Sequence, residues 1–127
     1  MTERRIILEM GSGNDLYGSD YTKAACRAVQ DALHHSSIVL FKSLGYDHRD
    51  MRVQVTIGVQ EPDQVDIARV CAELPRGRAE VIAVHGGLNV LDAEQGTTHV
   101  IATAAIEAFL PIKRSRWRLS DTGRCVD

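Results

Sequence analysis

The chain has 127 residues, 44% of them hydrophobic and 25% charged, the ordinary make-up of one soluble globular domain. A net charge of −2 leaves no bulk field that would draw the chain to nucleic acid or an anionic membrane. No apolar run approaches the ~20 residues a membrane helix needs.

The N-terminal Arg4-Arg5 precedes only Ile6-Ile7-Leu8 before Glu9, too short a core for a signal peptide. Three cysteines without close spacing (Cys26, Cys71, Cys125) fit unpaired thiols in a reducing, cytoplasmic setting. Aromatics are only 5%, so the core is thin, and a homo-oligomer is expected because it would bury surface that a lone protomer exposes.

Arg5 to Met10 reads as a β-branched strand, and Gly11 to Ser19 as a loop by content. Asp20 is placed to cap a helix from about Tyr21 to His35, whose Ala24, Ala25, Ala28, Val29, Ala32 and Leu33 make one apolar face. Ile38 to Phe41 reads as a packing segment and Gly45 to Asp50 as a turn. In Met51 to Gln60, Val53, Val55, Ile57 and Val59 alternate with polar residues and glycine, a half-buried strand. Pro62 opens a second helix with Ile67, Val70, Cys71 and Leu74 inward, stopped by Pro75-Arg76-Gly77.

A third strand spans Ala79 to His85 and ends at Gly86-Gly87. Thr98 to Leu110 is alanine-rich, which favours helix, yet Val100, Ala102, Ala104, Ile106 and Ala108 alternate, and strand is the preferred reading. The expected fold is α+β, a two-layer sandwich in the order β-α-β-α-β-β, with two helices on one face of a four-stranded sheet. Residues 1–112 form the domain. Residues 113–127 form a basic tail in which Lys113, Arg114, Arg116 and Arg118 fit a charge-protected edge strand.

Gly11-Ser12-Gly13-Asn14-Asp15-Leu16-Tyr17-Gly18 is the first candidate site. Glycines between a strand and a helix N-terminus can turn backbone amides toward an anion or a developing oxyanion. Neither nucleotide loop fits: Leu16 stands where the dinucleotide fingerprint needs glycine, and Gly-Lys-Ser/Thr is absent, so no cofactor is expected. Here Asp15 is the candidate base or orienting acid, Tyr17 a hydrogen-bond donor, and Lys23 a cation or base. The plain alternative is a tight turn in which Asp15 bonds its own backbone.

The stripe Lys23, Arg27, Asp31, His34 lies along one helix face, where Asp31 could orient His34 or pair with Arg27. Its alternative is a solvated ion-pair surface. His85-Gly86-Gly87 is either an oxyanion-type corner or a simple turn. No metal is expected, since His-x-x-x-His and Cys-x-x-Cys pairs are missing and Asp47, His48 and Asp50 make a weak set. Expected substrate contacts are Gly11, Gly13, Arg27, His85 and Gly86.

The run Gly11 to Gly18, followed by Asp20-Tyr21-Thr22-Lys23-Ala24-Ala25, resembles a small bacterial and plant family of unassigned function. That family is typified by a Gly-x-Gly-x-Asp-x-His-Gly loop and a Thr-Lys-Ala-Ala helix. The likeness spans about Arg5 to Leu110, with Tyr17 in place of the family's histidine, so a role needing imidazole does not carry over. A fold-level likeness also links the chain to single units of cyclic-amide ring-opening hydrolases and to trimeric enamine/imine deaminases. It implies an enzyme hydrolysing or isomerising a small cyclic amide or imine near a subunit boundary. A non-catalytic oligomeric module holding a small anionic metabolite is the alternative.

Overall fold

The computed structural model describes residues 2–34, 50–74 and 78–112. The expectations for His35 to Phe41, for the turn before Asp50, for the stop at 75–77 and for the basic tail lie outside the described residues. The chain runs β1 (Thr2–Asp15), α1 (Tyr21–His34), β2 (Arg52–Val59), a 3-10 turn (Pro62–Gln64), α2 (Ile67–Cys71), β3 (Arg78–His85), β4 (Leu88–Asp92) and β5 (Thr97–Ile112).

The fold is α+β, but the sheet has five strands rather than four, in the order β1-β5-β2-β3 with β4 also on β5. Only β2 and β3 run parallel; β1, β2 and β4 each pair antiparallel with β5. The 16-residue β5 is the axis of the sheet. On one side it carries β1 along most of its length. On the other it carries β4 at Thr97–Ile101 and β2 at Thr103–Phe109.

The unforeseen β4 exists because the chain leaving β3 crosses the end of β2. Gly87 has φ +61°, and a Cβ there would come within 2.3 Å of the Ile101 carbonyl oxygen, so only glycine allows so close a crossing. The second helix is also shorter than expected. Pro62 opens a 3-10 turn, and Asp66 starts α2 afresh, its side chain accepting from the Arg69 N–H at 3.3 Å.

Alternation decides the layers. Val55 lies opposite Ile106 and Ile57 opposite Ala104, and all four are buried. On that face α1 lies with Ala24, Ala25, Ala28, Val29 and Ala32 fully closed off. Alanine lets the helix approach closely, and β1 meets it with glycine. A Cβ on Gly13 would lie 2.3 Å from the Ala28 nitrogen, and one on Gly11 would lie 2.5 Å from the Ala28 oxygen. Both helices share this core, since Val70 of α2 is buried in it. The opposite face of the sheet carries Leu8, Met10, Gly58, Ile82, Val84 and Thr103.

Candidate functional site

The glycine segment is not a loop. β1 continues through Gly11 and Gly13 to Asp15, so their amides do not converge on a common space. These glycines are required by the close approach of α1. The expectation that they cradle an anion is therefore corrected: they lack side chains because a helix backbone occupies the place.

Asp15 is 4% exposed at the end of β1. One carboxylate oxygen, Oδ2, accepts from the Asp20 N–H at 2.9 Å and the Gly18 N–H at 3.1 Å. The other, Oδ1, is 3.4 Å from the Lys23 ammonium. The Asp20 amide holds the carboxyl below the usual carboxylate range, Lys23 and the Gly18 amide add to the effect, and burial opposes it. Such a carboxylate is ionised, fully occupied and weakly basic. It closes the bend between β1 and α1, where Ser19 has φ +49°. Sequence reasoning brought Asp15 and Lys23 together correctly, but they do not share a hollow: Lys23 borders one and Asp15 does not.

The polar stripe of α1 has the same kind of explanation. Among the described residues β1 pairs only with β5, so no described strand covers its other edge. The Arg27 guanidinium donates to the Asn14 carbonyl at 2.6 Å, and the Ser12 N–H donates to the Asp31 carboxylate at 2.9 Å. With Lys23 on Asp15, helix positions 23, 27 and 31 meet strand positions 15, 14 and 12 in order. They occupy backbone groups that an invading strand would otherwise use. At the end of α1, His34 borders a shallow hollow of about 390 Å³ with Lys23, Arg27, Arg69 and Glu73. Asp15 does not reach that hollow.

Tyr17 is 72% exposed, its ring edge-on to His99 with centroids 6.2 Å apart. Sequence reasoning missed His99, which lies on β5 beside the strand now known as β4. Its Nε2 is 4.0 Å from Asp92, and its Nδ1 and the Thr97 hydroxyl are shut from solvent without a hydrogen-bond partner.

A second hollow lies on the open face of the sheet. A groove of about 560 Å³ crosses β1, β5, β2 and β3, bordered by Met10, Ser12, Thr56, Gly58, Val84, His85, Thr103 and Ala105. Gly58 makes its floor low, since a Cβ there would lie 2.7 Å from the Thr103 hydroxyl. Gly11, His85 and Gly86 of the expected substrate contacts border it, whereas Gly13 and Arg27 do not. Gly86 cannot serve as an oxyanion donor, because its N–H is bound to the Val59 carbonyl at 2.9 Å. The Gln60 amide fixes the same turn through the Gly86 and Gly87 carbonyls at 3.0 and 3.2 Å. The plain-turn reading of His85-Gly86-Gly87 is the one this geometry fits.

Among the described residues no three His, Cys, Asp or Glu side chains are arranged for a metal ion, and no helix is long and apolar enough to cross a membrane.

These features define a class: a small α+β protein whose mixed sheet is covered by helices on one face and open, with a groove, on the other. Residues 5–108 match the family model of the conserved hypothetical protein Lin0512, and the chain belongs to that family. It is also similar to an FtsZ-like protein of unknown function from Nostoc punctiforme. The crystal structure of that protein superposes with a TM-score of 0.76 at 32% identity, over 88% of this chain and 99% of that one. Comparison with curated proteins gave no match.

Proposed function

We propose that the protein binds a small, flat, uncharged hydrogen-bonding molecule, a cyclic amide by class, in the groove on the open face. One observation carries this reading: the groove joins a low glycine and alanine floor to the hydroxyls of Ser12, Thr56 and Thr103, between the apolar walls Met10 and Val84. A flat ring lies against such a floor, and alternating carbonyl and N–H groups suit hydroxyls that both donate and accept. Charge argues against the anionic metabolite. Among the described residues, the groove is bordered by the Asp31 carboxylate and by no lysine or arginine.

Thermal unfolding with uracil, hydantoin and dihydrouracil, all uncharged at neutral pH, tests the reading. At ~100 times its Kd a ligand adds ~2.7 kcal/mol of stability, a rise of several degrees for a domain of this size. Thr103→Val should abolish the rise and Lys23→Ala should keep it. No rise with any of the three rings, or a rise lost only in Lys23→Ala, would contradict the assignment.

Hydrolysis of the bound ring is the second reading, favoured by the presence of a histidine, His85, among the residues that line the groove. It predicts loss of ring ultraviolet absorbance with wild-type protein and none with His85→Ala. Asp15 has no part in it, because its buried carboxylate, held by the Asp20 and Gly18 amides, is not among the residues that line the groove.

A further inference from the structure

Among the described residues, the groove has a floor and no roof. Small-molecule sites enclose most of their ligand, and one face of a sheet supplies a single wall. Around the groove stand six large apolar side chains in contact with solvent. Leu8 and Met10 rise from β1, Ile82 and Val84 from β3, and Leu88 and Val90 from β4, with Met10 70% and Leu88 61% exposed. Register places them on one face: Met10 lies opposite Ala105, Val84 beside Gly58, and Leu88 opposite Ile101.

We infer that a second copy of this chain covers this face, groove against groove, and supplies the missing wall. The inference rests on reading the groove as the ligand site. Three features select a second copy. The first is charge. The charged pairs at one end of the face are neutralised within the chain, Arg5 with Glu107 at 3.2 Å and Arg52 with Glu3 at 2.7 Å, so that end can meet its copy without a clash between those pairs.

The second is size. Eight residues of β2 at ~3.3 Å each and four strands at ~4.8 Å span roughly 27 by 19 Å. The longer β1 and β5 extend this toward the ~800 Å² per partner of a standard interface. The third is the clasp of α1 on β1, which occupies the edge at Ser12 and Asn14 and directs association to the face. A two-fold contact of this kind is self-complementary.

Ligand and partner then stabilise each other. The test is sedimentation velocity of the full chain across a dilution series, with and without uracil, for wild type and for Leu8→Glu combined with Leu88→Lys. Both positions are exposed and outside the groove lining. Wild type should associate and shift further toward dimer with ligand. The double variant should sediment as monomer with an unchanged circular dichroism spectrum and a much smaller ligand-induced rise in Tm. If the double variant does not fold, Val90→Lys alone should raise the dimer dissociation constant at least tenfold.

A wild type that stays monomeric at every concentration overturns the inference, as do variants that associate like wild type. Failure of the two ideas is distinguishable. A monomer stabilised by the cyclic amide ends the interface and leaves the ligand reading. A dimer broken by these variants that responds to no cyclic amide leaves the interface and ends the ligand reading.

Discussion

The two faces of β5 are made by alternate residues of one strand, and they differ in what they cost to change. Toward α1, Val100, Ala102, Ala104, Ile106, Ala108 and Leu110 are at most 3% exposed. Toward the open side, Thr103 and Ala105 line a groove, and both, like Glu107, keep contact with solvent. Small residues on the first face admit a helix; small residues on the second admit nothing that the described residues supply. The same residue type therefore means packing on one side and vacancy on the other, and only the vacancy is available for binding.

That contrast is sharpest at the glycines. Gly13→Val puts a branched side chain into the α1 backbone, 2.3 Å from the Ala28 nitrogen at the Cβ alone. Overpacking against a backbone that cannot yield should cost ~3 kcal/mol or more, read as a fall in the urea midpoint. A loss below ~1 kcal/mol would mean that α1 is free to lift off the sheet.

Next comes Asp15→Asn, which removes the charge from two backbone hydrogen bonds and the Lys23 contact. Hydrogen bonds to charged groups are worth ~1.5–3 kcal/mol, and a loss in that range is expected at neutral pH. The folded-state carboxyl is held below its ordinary value of 3.8, chiefly by the Asp20 amide. Its stabilising contribution is complete above the unfolded-state value and fades as pH falls through the lower folded-state one. Wild-type stability should therefore drop in acid below about pH 4, and the Asn variant should show a flatter acid limb in pH-dependent urea melts.

The smallest effect belongs to the clasp. Arg27→Ala should cost ~0.5–1 kcal/mol for one exposed hydrogen bond, while exposing part of the β1 edge. Light scattering during mild heating should then report faster aggregation than wild type shows.

Much of this fold was legible in the sequence. Alternation at Val53 to Val59 and at Val100 to Ala108 marked β2 and β5, and Asp20 marked the start of α1, where its carboxylate accepts the Lys23 N–H at 3.0 Å. Glycine content misled at Gly11 and Gly13, because a strand glycine demanded by a close helix looks locally like a loop glycine. β4 was hidden by its brevity: five residues of Leu88–Asp92 between two turns give too short a pattern.

The candidate site was less legible than the fold. Helical spacing showed that Lys23, Arg27 and Asp31 share a face, but not that a strand edge lies beneath it. The groove joins Ser12, Thr56, Gly58, Val84 and Thr103 from four strands, a juxtaposition that depends on strand order. His99 was passed over for the same reason, since its neighbours Tyr17 and Asp92 arrive from other segments.

The account turns on which side of the molecule receives a ligand. Titrating ¹⁵N-labelled protein with uracil and following backbone amide shifts reads that directly. The groove predicts saturable shifts at Ser12, Thr56, Gly58, Thr103 and Ala105, with residues 15–23 unmoved. Shifts confined to Asp15, Tyr17 and Lys23, with the open face silent, would contradict it.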